Sequence, residues 1–138
     1  MMTIKDTHGR EEEKPKFKAR MSERDSETSA TAYCEKQYPE MCLEFKRIQK
    51  EQYQLFCAKQ RNYGPSNITV GTNLETPDDV KLSLTGLWFR VNDKIQRLKQ
   101  LVIMSQPDEV GESIEDTYSD LSIYGIISLL VSRKKWGK

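Results

Sequence analysis

The segment LSLTGLWFRVNDKIQRLKQLVIM, from Leu82 to Met104, constrains the fold more than any other stretch of this chain. Leu84, Leu87, Trp88, Val91, Ile95, Leu98 and Val102 recur at the spacing of one helix face, which predicts a long amphipathic helix with that face buried. Just upstream stand an oxygen-bearing cap residue, a proline at the first helical position and an acid three residues after the cap: Thr76, Pro77 and Asp79. The same period predicts a first helix from about residue 38 to Arg61, striped by Met41, Phe45, Ile48 and Leu55. A last helix is expected from about Glu112 to Ser132, apolar on nearly every side in its second half, as suits a central helix or a subunit contact. No alternating pattern is strong enough for a sheet. The expected fold is therefore all-α, an antiparallel bundle of three principal helices.

The breaks between helices are equally local. Gly64 and Pro65 stop the first helix, and the irregular segment GPSNITVGTNLETPDD opens a long loop with room for one short extra helix. A loop of that length inside a compact domain tends to be functional. Near residue 33 the composition shifts from charge of both signs, almost free of branched apolar residues, to helical period. The segment before the shift cannot bury enough surface to offset chain entropy, so residues 1–36 are expected to form a disordered charged arm and residues 37–138 a single domain.

Charge and cysteine use narrow the function classes. The chain has 138 residues with 22 basic against 21 acidic side chains, a net charge of +1, so no overall field draws it onto duplex DNA or an anionic membrane. Phosphate recognition would have to be local. The longest apolar run, near residues 121–131, is far shorter than the ~20 residues of a spanning helix, and the polar start lacks a signal-peptide core; a soluble, intracellular protein is expected. Three cysteines, Cys34, Cys42 and Cys57, without CxxC spacing, and a lone histidine, His8, argue against a zinc site or a disulfide framework.

Against this background the stretch GESIEDTYSDLSIYG is unusual: Glu112, Glu115, Asp116 and Asp120 stand together just before an apolar run. Like charges four apart repel, and apolar surroundings raise the cost, so countercharge is required. Glu112 and Glu115 suit the positive end of a helix macrodipole, whereas Asp120 lies too far in. Arg90, Asp93 and Arg97, with Lys94 beside them, occupy one region of the preceding helix. Either these cations neutralise the acids in a salt-bridge network, or the acids hold a hard divalent cation such as Mg²⁺ beside a phosphate. Glu40, Glu44 and Glu51 on the first helix add a further carboxylate candidate. At that helix's end, Lys59, Asn62 and Tyr63 offer a cation for phosphate, an amide for a base or sugar and an aromatic face for stacking, or simply a helix-ending turn.

The motifs KQRNYGPSNITVGTNLE, KLSLTGLWFRVNDKIQRLKQL, ESIEDTYSDLSIYGII and KKWGK together resemble the nucleotide modification associated domain 1 family of phages and prophages, over about residues 41–138. Asn62 replaces the aspartate of that family's usual DYG, and Lys134 stands where a glycine is expected. ESIED is also similar to the second acidic motif of the all-helical MazG and dimeric dUTPase pyrophosphohydrolases, while their first motif of two glutamates three apart has no match here. The resemblance implies a MazG-like bundle, a homo-oligomer and the cytoplasm of a bacterial host. It further implies Mg²⁺- or Mn²⁺-dependent pyrophosphohydrolysis of a dNTP, or alternatively a non-catalytic nucleotide-binding or adaptor role beside a DNA-modifying enzyme. In the hydrolase reading Glu44, Glu112, Asp116 and Asp120 hold metal, Lys59, Asn62, Tyr63, Arg90, Lys94 and Arg97 bind substrate, Asp93 orients a cation and Glu115 is the general base.

Overall fold

The computed structural model describes residues 29–138, and the described residues are helical with no strand. Five α-helices follow in order: α1 (Ala30–Gln37), α2 (Pro39–Tyr63), α3 (Ser66–Thr69), α4 (Pro77–Leu98) and α5 (Ile114–Ser132), with a π-helical turn, Lys99–Ile103, directly after α4. The chain divides into two compact units, Met1–Ile48 and Gln49–Lys138. None of these helices is long and apolar enough to cross a membrane.

In the first unit, residues 1–28 of the expected arm lie outside the described residues, but its last part is ordered as α1. The Ser29 hydroxyl accepts from the Ala32 amide at 3.1 Å and supplies the N-cap that apolar periodicity does not report. Lys46 on α2 pairs with Glu35 on α1, and Glu44 pairs with Arg47 one turn on. Met41, Phe45 and Ile48, the expected inward stripe, are exposed.

In the second unit, α2 turns Gln52, Phe56 and Gln60 inward rather than Leu55, which is exposed. Gly64, in the left-handed region at φ 66°, and Pro65 end α2 as their chemistry requires. The long loop contains the single turn α3, whose Ile68 and Thr69 are buried and whose exit passes through a left-handed Val70. Thr76 and Asp79 form both halves of a capping box on α4. The core joins Ile68, Leu74, Leu87, Ile127, Val131 and Trp136, with Phe56, Val80, Leu84, Ile123, Tyr124 and Leu130 packed around it. Helices α4 and α5 pair antiparallel, since Lys94 meets Asp120 while Arg97 meets Thr117.

Two local expectations differ from the structure. The last helix starts at Ile114, not Glu112, because the Ser113 hydroxyl accepts from the Asp116 amide and so makes Ser113 the cap. Glu112 is thus outside the helix and free of its 3.6-residue period. The face of α4 expected to be buried is instead divided: Leu87 is buried, but Trp88, Ile95 and Val102 are 60, 48 and 45 % exposed. It is Ser83, Leu87, Arg90, Lys94 and Arg97 that turn inward, with Ser83 and Leu87 fully buried and the three cations partly so.

Candidate functional site

The polar face of α4 meets the start of α5, and most of the sequence-selected charges gather there. Lys94 Nζ lies 3.0 Å from Glu112 Oε1 and 2.9 Å from Asp120 Oδ2, so one ammonium bridges two carboxylates. Lys59 Nζ, from α2, stands 3.8 Å from the other oxygen of Asp120. The Asp120 hydrogen bond lifts the Lys94 ammonium above the ordinary lysine range; partial burial opposes this and Glu112 reinforces it. Asp120 is therefore the centre of the cluster, as its place two turns into the helix requires.

Arg97 ties down the connection between the helices. Its Nε donates to the Thr117 hydroxyl at 3.1 Å, and its Nη2 donates to Asp108 Oδ2 at 3.3 Å and to the Glu112 carbonyl. Thr117 is completely buried, and its hydroxyl accepts from this guanidinium and donates to the Ser113 carbonyl at 3.4 Å. The Val110 backbone amide, 3.1 Å from Asp108 Oδ1, is the main group holding the Asp108 carboxyl below the usual carboxylate range, with Arg97 adding to it against desolvation. Arg97 acts here as a clamp on residues 108–117.

Beside the cluster is a cleft of ≈ 200 Å³ with Lys59, Tyr63, Asn67, Arg90, Ser119 and Asp120 on its polar side and Phe56, Ile68, Ile123 and Ile127 as its apolar floor. Arg90 Nη2 donates to the Asn67 carbonyl of α3 at 3.0 Å, which fixes the guanidinium at the cleft wall. Gln52 supports the α5 side, donating to Ser119 at 3.4 Å and accepting from Ser122 at 3.1 Å. Trp136 Nε1 donates to the Pro65 carbonyl at 3.1 Å and its ring meets Phe56 edge-on at 6.0 Å, anchoring the start of the α3 turn.

The structure thus brings Lys59, Arg90, Lys94, Glu112 and Asp120 together and sets Tyr63 at the same cleft. Asn62 is exposed and is not among the residues lining it. Asp93 is exposed on α4, and Glu115 and Asp116 are exposed in the first turn of α5, where their charge suits the helix N-terminus. Glu44 belongs to the other unit. Among the described residues no group of three or more His, Cys, Asp or Glu side chains is arranged to hold a metal ion. Two carboxylates, those of Glu112 and Asp120, do converge on a single cation, the Lys94 ammonium.

Sequence reasoning missed Asp108, Thr117, Asn67, Ser119 and Gln52, none of which stands out by spacing. Trp136 carried a signal, an aromatic residue in an otherwise basic terminal segment, but no spacing tied it to Pro65 seventy-one positions away. Compared with family models, curated proteins and solved structures, the chain matches none.

Proposed function

We propose that the cleft beside Asp120 seats a nucleotide, and that the protein acts in modified-nucleotide metabolism of the phage type. One observation carries this reading: Lys59, Arg90 and Tyr63, two cations and an aromatic ring, line the same cleft as Asp120. Cations recognise phosphate oxygens, and the aromatic face and apolar floor suit a base or sugar. The cleft is smaller than the roughly 300–1,000 Å³ of sites that enclose a whole ligand. It would therefore grip one end of the nucleotide and leave the other open.

The chemistry in this proposal is Mg²⁺- or Mn²⁺-dependent pyrophosphohydrolysis of a dNTP. Mg²⁺ takes oxygen ligands, typically one or two carboxylates completed by water and substrate phosphates, so Glu112 and Asp120, already converging on a cation, fit it as a pair. A bound divalent ion would polarise the phosphoryl group and lower the pKa of an attacking water. Lys59 and Arg90 would bind phosphate oxygens and stabilise the charge that gathers on them. Asp116, one helical turn before Asp120, is the nearest further carboxylate along α5, and Glu115 beside it remains the candidate base. Membership of the nucleotide modification associated domain 1 family, a MazG-like arrangement and a homo-oligomer belong to the same proposal.

The second reading is a nucleotide-binding or adaptor protein without chemistry of its own, favoured by Lys94 holding both carboxylates. Anion-exchange chromatography of each dNTP, including modified pyrimidines, after incubation with the protein and Mg²⁺ or Mn²⁺, separates the two. Monophosphate and pyrophosphate that disappear with EDTA establish hydrolysis. Intact nucleotides together with a thermal shift that Lys59→Ala removes establish binding alone, and no shift with any nucleotide refutes the site.

A further inference from the structure

The cleft beside Asp120 shares a wall with a second one. Phe56 and Gln60, one turn apart on α2, line both. The second cleft measures ≈ 330 Å³, and its lining residues all belong to the second unit. Phe56, Leu130 and Trp136 supply its apolar surface, and the Trp136 indole N–H is committed to the Pro65 carbonyl. Its polar side chains are Gln60, Lys135 and Lys138, with no acidic side chain lining it among the described residues. The half-buried Gln60 amide has no hydrogen-bond partner among the described residues, and both lysines are exposed without an ion pair there.

We infer that this second cleft is the base subsite of the proposed nucleotide site, and that it selects keto bases, guanine and thymine or uracil, over the amino bases adenine and cytosine. The inference rests on the nucleotide reading above: with phosphates held by Lys59 and Arg90, the end that the first cleft leaves open passes the shared wall at Phe56 and Gln60. Aromatic and apolar surface there suits the face of a base.

The choice of base follows from the balance of donors and acceptors. A glutamine amide carries both and can pair with either class of base by turning over. Lys135 and Lys138 break the tie, because an ammonium donates and never accepts. Guanine O6 and thymine O4 accept such a bond, whereas adenine N6 and cytosine N4 present donors and call for a carboxylate or a free carbonyl. Neither is at hand. The carbonyls of Gln60, Pro65 and Leu130 accept from the Gly64 amide, the Trp136 indole and the Lys135 amide at 2.8, 3.1 and 2.9 Å. Asp120, the one carboxylate lining either cleft among the described residues, is held by Lys94 at 2.9 Å and Lys59 at 3.8 Å.

The test uses the full chain with Mg²⁺, the α,β-methylene analogues of dGTP, dTTP, dATP and dCTP, which the proposed cleavage cannot consume, and inorganic triphosphate as a probe of the phosphate end. Isothermal titration calorimetry is expected to give Kd values ~10-fold lower for the dGTP and dTTP analogues than for the dATP and dCTP analogues, the discrimination of one good bidentate contact. Gln60→Leu should bring the four Kd values within ~3-fold of one another, with inorganic triphosphate still bound as evidence that the variant is folded. Lys135→Gln, at an exposed position, should likewise reduce the preference with helix content by circular dichroism retained. Equal Kd values for the four bases, a preference for dATP or dCTP, or a preference that survives both substitutions overturns the base subsite. Inorganic triphosphate separates that result from failure of the nucleotide reading. Triphosphate binding that Lys59→Ala weakens keeps the phosphate end in place when base preference is absent, and a wild type that binds neither triphosphate nor any analogue removes both.

Discussion

Replacing Lys94 by methionine isolates the energetic role of the cation that joins α4 to α5. Methionine keeps most of the stem and removes the ammonium, leaving Asp120 only the more distant Lys59 at 3.8 Å and Glu112 only Arg97 at 3.7 Å. Lys94 makes contacts of 3.0 and 2.9 Å, and its side chain is 20 % exposed, against 39 and 25 % for Glu112 and Asp120. Hydrogen bonds to charged groups contribute ~1.5–3 kcal/mol each when shielded, and exposed ion pairs ~0–1 kcal/mol. The partial exposure places the loss between these limits, at ~1–3 kcal/mol for the pair of contacts. At roughly 4 °C per kcal/mol for a domain of this size, Lys94→Met should melt ~4–12 °C below the wild type. Thermal denaturation followed by circular dichroism at neutral pH measures the difference. In a double-mutant cycle, Asp120→Asn should cost less in the Lys94→Met background than in the wild type, because the acid has already lost its closer partner and keeps only Lys59. Equal melting of Lys94→Met and wild type, or strict additivity with Asp120→Asn, would refute a stabilising bridge and mark these charges as solvated surface.

The pH dependence has a defined sign. Because Lys94 is raised above its ordinary value, its contribution is complete below that value of 10.5 and is lost as pH climbs through the higher folded value; the melting gap to Lys94→Met should close only above about pH 10.5. Asp108 is lowered from 3.8, so its contribution is present above that value and lost as pH falls through the lower folded one, and Asp108→Asn should match the wild type only in strong acid. Ser83 is 1 % exposed and its hydroxyl has no hydrogen-bond partner among the described residues, so Ser83→Ala should be neutral or raise stability by up to ~1 kcal/mol; a loss above that in chemical denaturation would show a bond the hydroxyl makes. Trp136→Ala removes a 6 % exposed ring and the bond to Pro65, and should cost ~3–5 kcal/mol; Trp136→Phe should recover more than half, and a smaller loss for alanine would mean that the terminal segment is not part of the core.

The three long helices, α2, α4 and α5, are legible in the sequence because their signals are local, whereas α1 falls within the expected disordered arm. Apolar period, the Thr76–Asp79 capping box and the Gly64–Pro65 break each act within a few residues, and α2 and α4 lie close to where these signals put them. Where a competing local interaction wins, as with the Ser113 cap, the error is confined to an element's end. The carboxylates' need for countercharge was legible too, and Lys94 meets it for Glu112 and Asp120. Which face of α4 turns inward was not. Both of its faces have helix-partner spacing, and apolar content alone favours the one carrying Trp88, Ile95 and Val102. The charged face is inside because Asp108, Glu112, Thr117 and Asp120 offset the cost of burying Lys94 and Arg97, and these partners lie eleven to twenty-six positions away. Sequence determined the three long helices and the requirement for a charge partner; only the packing of α5 on α4 decided which groups met it, because the energy of a partly buried charge is set by neighbours that the chain brings close only on folding.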